Sequence, residues 1–153
     1  MFGSRHCLTL SARTNSAVAL RLLGDPQAAL RLDSETVELL GETLGLDHPT
    51  TLTCATNLAS DLAALGRAQE AYEKDTDTLA RSERVLGVEH PSSLACGVNL
   101  ALDLRALGRD PEADRILADT VTRLRHVLGD RHPTTLNAVQ SVRADCEVDP
   151  MLL

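Results

Sequence analysis

A nine-residue phrase recurs along the chain at a fixed interval. It reads LGLDHPTTL at Leu44–Leu52, LGVEHPSSL at Leu86–Leu94 and LGDRHPTTL at Leu128–Leu136, and Leu44, Leu86 and Leu128 are each 42 residues apart. A worn fourth copy, FGSRHCLTL at Phe2–Leu10, stands one interval earlier. A constant period of this length constrains the fold more than any local pattern. Each unit is one supersecondary element that cannot bury its apolar face alone, so the units must stack.

Further columns agree when the copies are set in register. Asn15, Asn57 and Asn99 align, as do Leu20, Leu62 and Leu104, then Gly24, Gly66 and Gly108, then Ala29, Ala71 and Ala113. Each unit reads as two helices. Pro49, Pro91 and Pro133 suit a first helical turn, where a missing N–H costs nothing and φ is preset. In the second unit, Leu52, Ala55, Leu58, Ala59, Leu62 and Leu65 fall within an arc of roughly 140°, one face of a helix. Gly66 then supplies a residue able to take φ > 0. A second helix runs from about Ala68 to Val85, with Ala71, Tyr72, Leu79 and Leu86 inward. The third unit repeats this scheme with Leu94, Leu100, Ala101, Leu104 and Leu107, then Ala113, Leu117, Val121 and Leu124. The expected fold is all-α, a right-handed α-solenoid of about three and a half helix pairs over residues 1–146. The repeats fall near 2–43, 44–85 and 86–127, a single closing helix occupies 128–146, and an extended tail fills 147–153. Arg13 and Ser16 make the first helix partly polar, as a terminal repeat with nothing stacked on it should be.

Composition narrows the function classes. The chain has one Phe, one Tyr and no Trp, so its core is built of Leu, Ala and Val, which suits close-packed helices better than a sheet. A net charge of −7 opposes nonspecific nucleic-acid binding and adhesion to anionic membranes. Met1–Leu10 has no apolar signal core, and no apolar run approaches the length of a membrane span. A cytoplasmic location is the default expectation. Richness in Arg, Ala and Leu with a single Lys points to a GC-rich bacterial genome.

These columns resemble the tetratricopeptide repeat in its 42-residue form, the kind found in kinesin light chains. The residues that carry the resemblance are the LGxxHPxTL phrase, the Asn-Leu-Ala of Asn57–Ala59 and Asn99–Ala101, and the turn phrases LGRAQEA and LGRDPEA at Leu65–Ala71 and Leu107–Ala113. The chain is also similar to C-terminal repeat arrays of actinobacterial regulatory proteins, where such repeats follow an NB-ARC-type nucleotide switch domain. No phosphate-cradling glycine loop occurs here, so the resemblance implies a piece of a longer array or a short gene derived from one.

Candidate sites follow from the columns. His6, His48, His90 and His132 recur once per unit. Equivalent residues lie about 8–10 Å apart in packed helices, whereas Zn–N bonds are about 2.0–2.1 Å, so one ion cannot collect them and no metal is expected. Cys7, Cys54, Cys96 and Cys146 lack CxxC spacing and read as reduced structural thiols. No catalytic motif is found, so neither enzyme activity nor a cofactor is expected. Asn57 points about 150° away from its helix's apolar face, onto the exposed side that lines the concave groove. Asn15, Asn57 and Asn99 match the asparagine that pairs with peptide backbone in the resembling family, with Ser141 in the fourth unit. Asp61 and Asp103 project one turn on and favour a ligand segment with a basic residue. The expected function is protein or peptide binding in the groove. The competing expectation is a sensor or self-assembly arm of a larger switch protein, associating through its terminal helices.

Overall fold

In a computed structural model, Gly3 and residues 6–148 are described; residues 1, 2, 4 and 5, where the first repeat phrase begins, and the tail expected at 149–153 lie outside them. Among the described residues seven helices follow in order: α1 (Cys7–Leu22), α2 (Pro26–Leu44), α3 (Pro49–Ala64), α4 (Ala68–Leu86), α5 (Pro91–Ala106), α6 (Asp110–Leu128) and α7 (Pro133–Val139). The repeat is kept to the residue. The first helices of the three pairs, α1, α3 and α5, each have 16 residues, and the second helices α2, α4 and α6 each have 19. Each helix packs on its neighbours in the chain, and α3 also touches α1 and α5. The three first helices therefore form the inner wall of a right-handed solenoid. Among the described residues no strand occurs and no helix is long and apolar enough to cross a membrane.

The phrase that sets the period acts as punctuation. His6, His48, His90 and His132 are N-caps: in each, imidazole Nδ1 accepts from the backbone N–H two residues on, at 3.2 Å. An accepting Nδ1 implies the tautomer with its proton on Nε2. In the last three units proline follows in the first turn. At the other end of α3, Arg67 N–H donates to the Leu62 carbonyl and Gly66 N–H to that of Ala63, a Schellman closure in which Gly66 takes φ 74°. The same closure ends α5 at Gly108.

The core is aliphatic and runs the length of the stack. Leu10, Leu40 and Cys54 form one cluster, Leu30, Leu58, Leu62 and Ala71 the next, then Leu100, Leu104 and Ala113, and finally Leu94, Val98, Ala101, Leu117, Val121 and Leu124. The first helix departs from the apolar columns as anticipated for an end. Ser16 is exposed, and Arg13 turns over α2 to bond Thr36 Oγ1 and Glu35.

The closing helix is shorter than the expected 128–146. α7 has only 7 residues and ends in a Schellman closure of its own: Val142 N–H donates to the Asn137 carbonyl and Ser141 N–H to that of Ala138, with Ser141 at φ 57°. A longer helix would have no second helix to pack against, and an isolated helical extension is marginal in water. Over residues 142–148 the chain leaves helical structure and doubles back across the inner wall.

Candidate functional site

The inner wall is occupied by the chain's own C-terminal segment, and three asparagines hold it. Asn99 Nδ2 donates to the Ala144 carbonyl at 3.0 Å and Asn99 Oδ1 accepts from the Ala144 N–H at 2.8 Å. Asn57 does the same to Cys146, at 2.6 and 3.1 Å, and Asn15 to Val148, at 2.9 Å in both directions. One asparagine from each of α5, α3 and α1 thus grips every second residue of the segment. The match is geometric. Side-chain amide and peptide each offer one donor and one acceptor side by side, and successive helices of the wall meet alternate residues, those whose peptide groups point to the same side of a strand. The segment runs from the third unit back to the first.

Two carboxyl pairs lie beneath the segment. Asp75 from α4 and Asp103 from α5 meet one guanidinium, that of Arg143: Nη1 donates to Asp75 at 3.4 Å and Nη2 to Asp103 and to the Asn99 carbonyl. Forty-two residues earlier stand Asp33 and Asp61. Their guanidinium is Arg21 of α1, whose Nη1 donates to Asp61 at 2.5 Å and to the Asn57 carbonyl at 3.3 Å. All four carboxyl side chains are buried. A thiol backs each pair, Cys54 Sγ at 3.4 Å from Asp33 and Cys96 Sγ at 3.7 Å from Asp75. The two sites are one design repeated at the period of the fold, with cations that come from different parts of the chain.

Burial decides the protonation here. Desolvation, reinforced by the Asp61 charge, pushes Asp33 up to about 8, and desolvation raises Asp61 to about 6 against the pull of Arg21. Desolvation and the Asp103 charge hold Asp75 well above the usual carboxylate range. Asp103 is raised less, because burial is opposed by Arg143. Asp33 and Asp75 therefore keep their protons and donate to Asp61 and Asp103, leaving one negative charge per site for one guanidinium. Burial works against the Arg21 charge, yet its bonds to Asp145 and Asp61 hold it above its ordinary value. Its free arm, Nη2, reaches Asp145 of the segment at 2.6 Å.

Several sequence expectations change on this geometry. Asn57 and Asn99 do not line an open face, because both are fully buried under the segment. Ser141 does not extend the asparagine column. It lies in the turn after α7, where its hydroxyl accepts from Arg105 Nη1 at 2.8 Å. Asp103 does meet a basic side chain of the segment, but Asp61 is neutralised by Arg21, so that end of the groove presents a cation instead. Five charged residues of the site were not anticipated: Asp33, Asp75, Arg21, Arg143 and Asp145. Asp75 could have been read, since it shares the inward stripe Ala71, Asp75, Thr78 and Ser82, where a carboxylate needs a buried partner.

The tetratricopeptide repeat family profile matches residues 8–84 and, overlapping, 54–126. The chain belongs to the tetratricopeptide repeat family. Two crystal structures of a Podosopora anserina kinesin light chain-like protein with nearly identical TPR-like repeats, one of them a single-residue variant, are similar in sequence and shape. Both are 30% identical, with TM-scores of 0.73 and 0.71, and the match covers 93% of this chain and 67% of theirs. No curated protein sequence matches. Tetratricopeptide repeats form protein-interaction scaffolds, a role that asks for a surface and not for a catalytic group.

Proposed function

We propose that the protein is a peptide-binding scaffold whose groove takes one extended segment of a protein partner by its backbone. The observation that carries this is the ladder of Asn15, Asn57 and Asn99, each paired in both directions with an alternate residue of segment 142–148. Contacts to peptide groups are blind to side-chain identity, so what holds this segment will hold another extended one. Since the native segment already fills the groove, a partner enters only as that segment leaves.

The test uses the full chain with the segment dislodged. Arg143→Ala, Ala144→Pro and Cys146→Pro remove one of the two side-chain anchors and two of the three N–H donors without touching the helices. A fluorescent peptide, acetyl-Val-Arg-Ala-Asp-Ser-Glu-Val-amide, is expected to bind this open variant and to raise its fluorescence anisotropy saturably. Adding Asn57→Ala and Asn99→Ala should abolish the signal while far-ultraviolet circular dichroism stays helical. Binding that survives the double asparagine change would defeat the proposal.

A further inference from the structure

The resident segment also shows what side chains the groove reads, an inference that rests on the peptide-binding proposal above. Arg143 and Asp145, two residues apart, enter the wall at two fixed places. The Arg143 guanidinium spreads its nitrogens over Asp75, Asp103 and the Asn99 carbonyl, and the Asp145 carboxylate meets Arg21. Between and beyond them, Ala144 and Cys146 give their backbones to Asn99 and Asn57. Val148, itself buried, gives its backbone to Asn15. We propose that the groove selects extended partner segments of the form Arg-X-Asp, read in one direction and one register.

The selecting carboxyls belong to the wall. Asp75 and Asp103 are held by α4 and α5, and under the seated segment their side chains are inaccessible to water, so a ligand that covers them without a cation leaves a buried negative charge unpaired. Asp33 and Asp61 form the same pair one repeat earlier and already own a guanidinium, which shows what this arrangement accepts. A planar fork reaches two carboxyls and a carbonyl at once. An ammonium, with its donors on one atom, cannot span them. Arg21 is bound to Asp61 on one side, which leaves its Nη2 to take a carboxylate from the ligand. The order of the two charges is fixed because the asparagines fix the register: a shift of one residue turns both side chains to the opposite face of the strand.

The experiment extends the peptide titration on the same open variant. The parent peptide should bind. Replacing its arginine by lysine or alanine should weaken binding at least about tenfold, since a buried charge then loses its forked partner. Replacing its aspartate by asparagine should weaken it about threefold or more. Moving the arginine one position toward the N-terminus should cost as much as removing it. In reverse, Asp75→Asn with Asp103→Asn in the open variant should bring the arginine and alanine peptides to equal affinity. Equal binding of the arginine, lysine and shifted peptides would overturn the selectivity while leaving backbone capture intact. Failure of every peptide would overturn both. Concentration-dependent dimerisation of the native chain in sedimentation, lost in Arg143→Ala, would instead assign the motif to exchange between copies and overturn its assignment to a separate partner.

Discussion

Asn57→Ala tests whether the resident segment closes as one unit. The substitution deletes the two hydrogen bonds to Cys146, of 2.6 and 3.1 Å. Alanine is at home in a helix, so α3 should stand. When the segment lifts, water replaces both bonds at the Cys146 peptide, so the loss is the net value of two exchanged bonds. At about 0.5–1.5 kcal/mol each, that is about 1–3 kcal/mol, or roughly a 5- to 150-fold shift toward the open state. Amide hydrogen exchange resolved by residue reads the shift. Cys146 loses its own acceptor and is uninformative, but the acceptors of Ala144 and Val148 on Asn99 and Asn15 are intact. Both amides should exchange faster by that same factor, while the Leu58 amide inside α3 stays at its native rate. If Ala144 and Val148 keep their native rates, each asparagine pins its residue independently and the reasoning from one cooperative strap is refuted.

Other consequences follow from the repeat geometry. His90→Ala removes the Nδ1 acceptor for Ser92 N–H and should cost about 0.5–2 kcal/mol in urea denaturation, with Asn at the same position recovering most of it. Gly97→Ala should stabilise the chain by about 0.5–1 kcal/mol, because a glycine inside α5 is entropically costly. Its new Cβ would lie 3.0 Å from Thr120 Oγ1, and the hydroxyl can rotate to its own helix as Thr78 does toward the Lys74 carbonyl; a lower midpoint would refute this. Asp33 faces Asp61, Cys54 and Arg21 and is raised from 3.8 to about 8. Between those values the unfolded chain releases a proton that the folded chain keeps. This group's contribution to stability is therefore full below about pH 4 and falls as pH rises toward 8, with a limiting slope of about 1.4 kcal/mol per unit. Asp33→Asn, an amide in place of the protonated acid, should lower the slope by about that amount in melts taken from pH 4 to 8, leaving the share of the other raised carboxyls, Asp61, Asp75 and Asp103.

The sequence by itself determined the architecture. A period of 42 residues, a glycine after each of α1 to α6 and a histidine before the first helix of every unit left few places for boundaries to fall, because caps and φ > 0 positions are local chemistry. The inward columns were legible for the same reason: a 3.6-residue period puts Leu58, Ala59 and Leu62 on one stripe wherever the helix lies in space. The asparagine column could be picked out from its spacing, but not its occupant. Segment 142–148 has no periodicity, and its place in the wall depends on contacts spanning up to 133 residues, from Val148 to Asn15. Nor could the sequence show that α7 would stop at Val139. That choice compares a helical extension lacking a partner helix with an extended strand gripped by three side chains, a comparison of packing and not of propensity. The pairing of charges was hidden in the same way. Asp61 and Asp103 occupy identical columns, yet one is served by Arg21 of α1 and the other by Arg143 at the far end of the chain, and only the superhelix brings those two arginines to equivalent places.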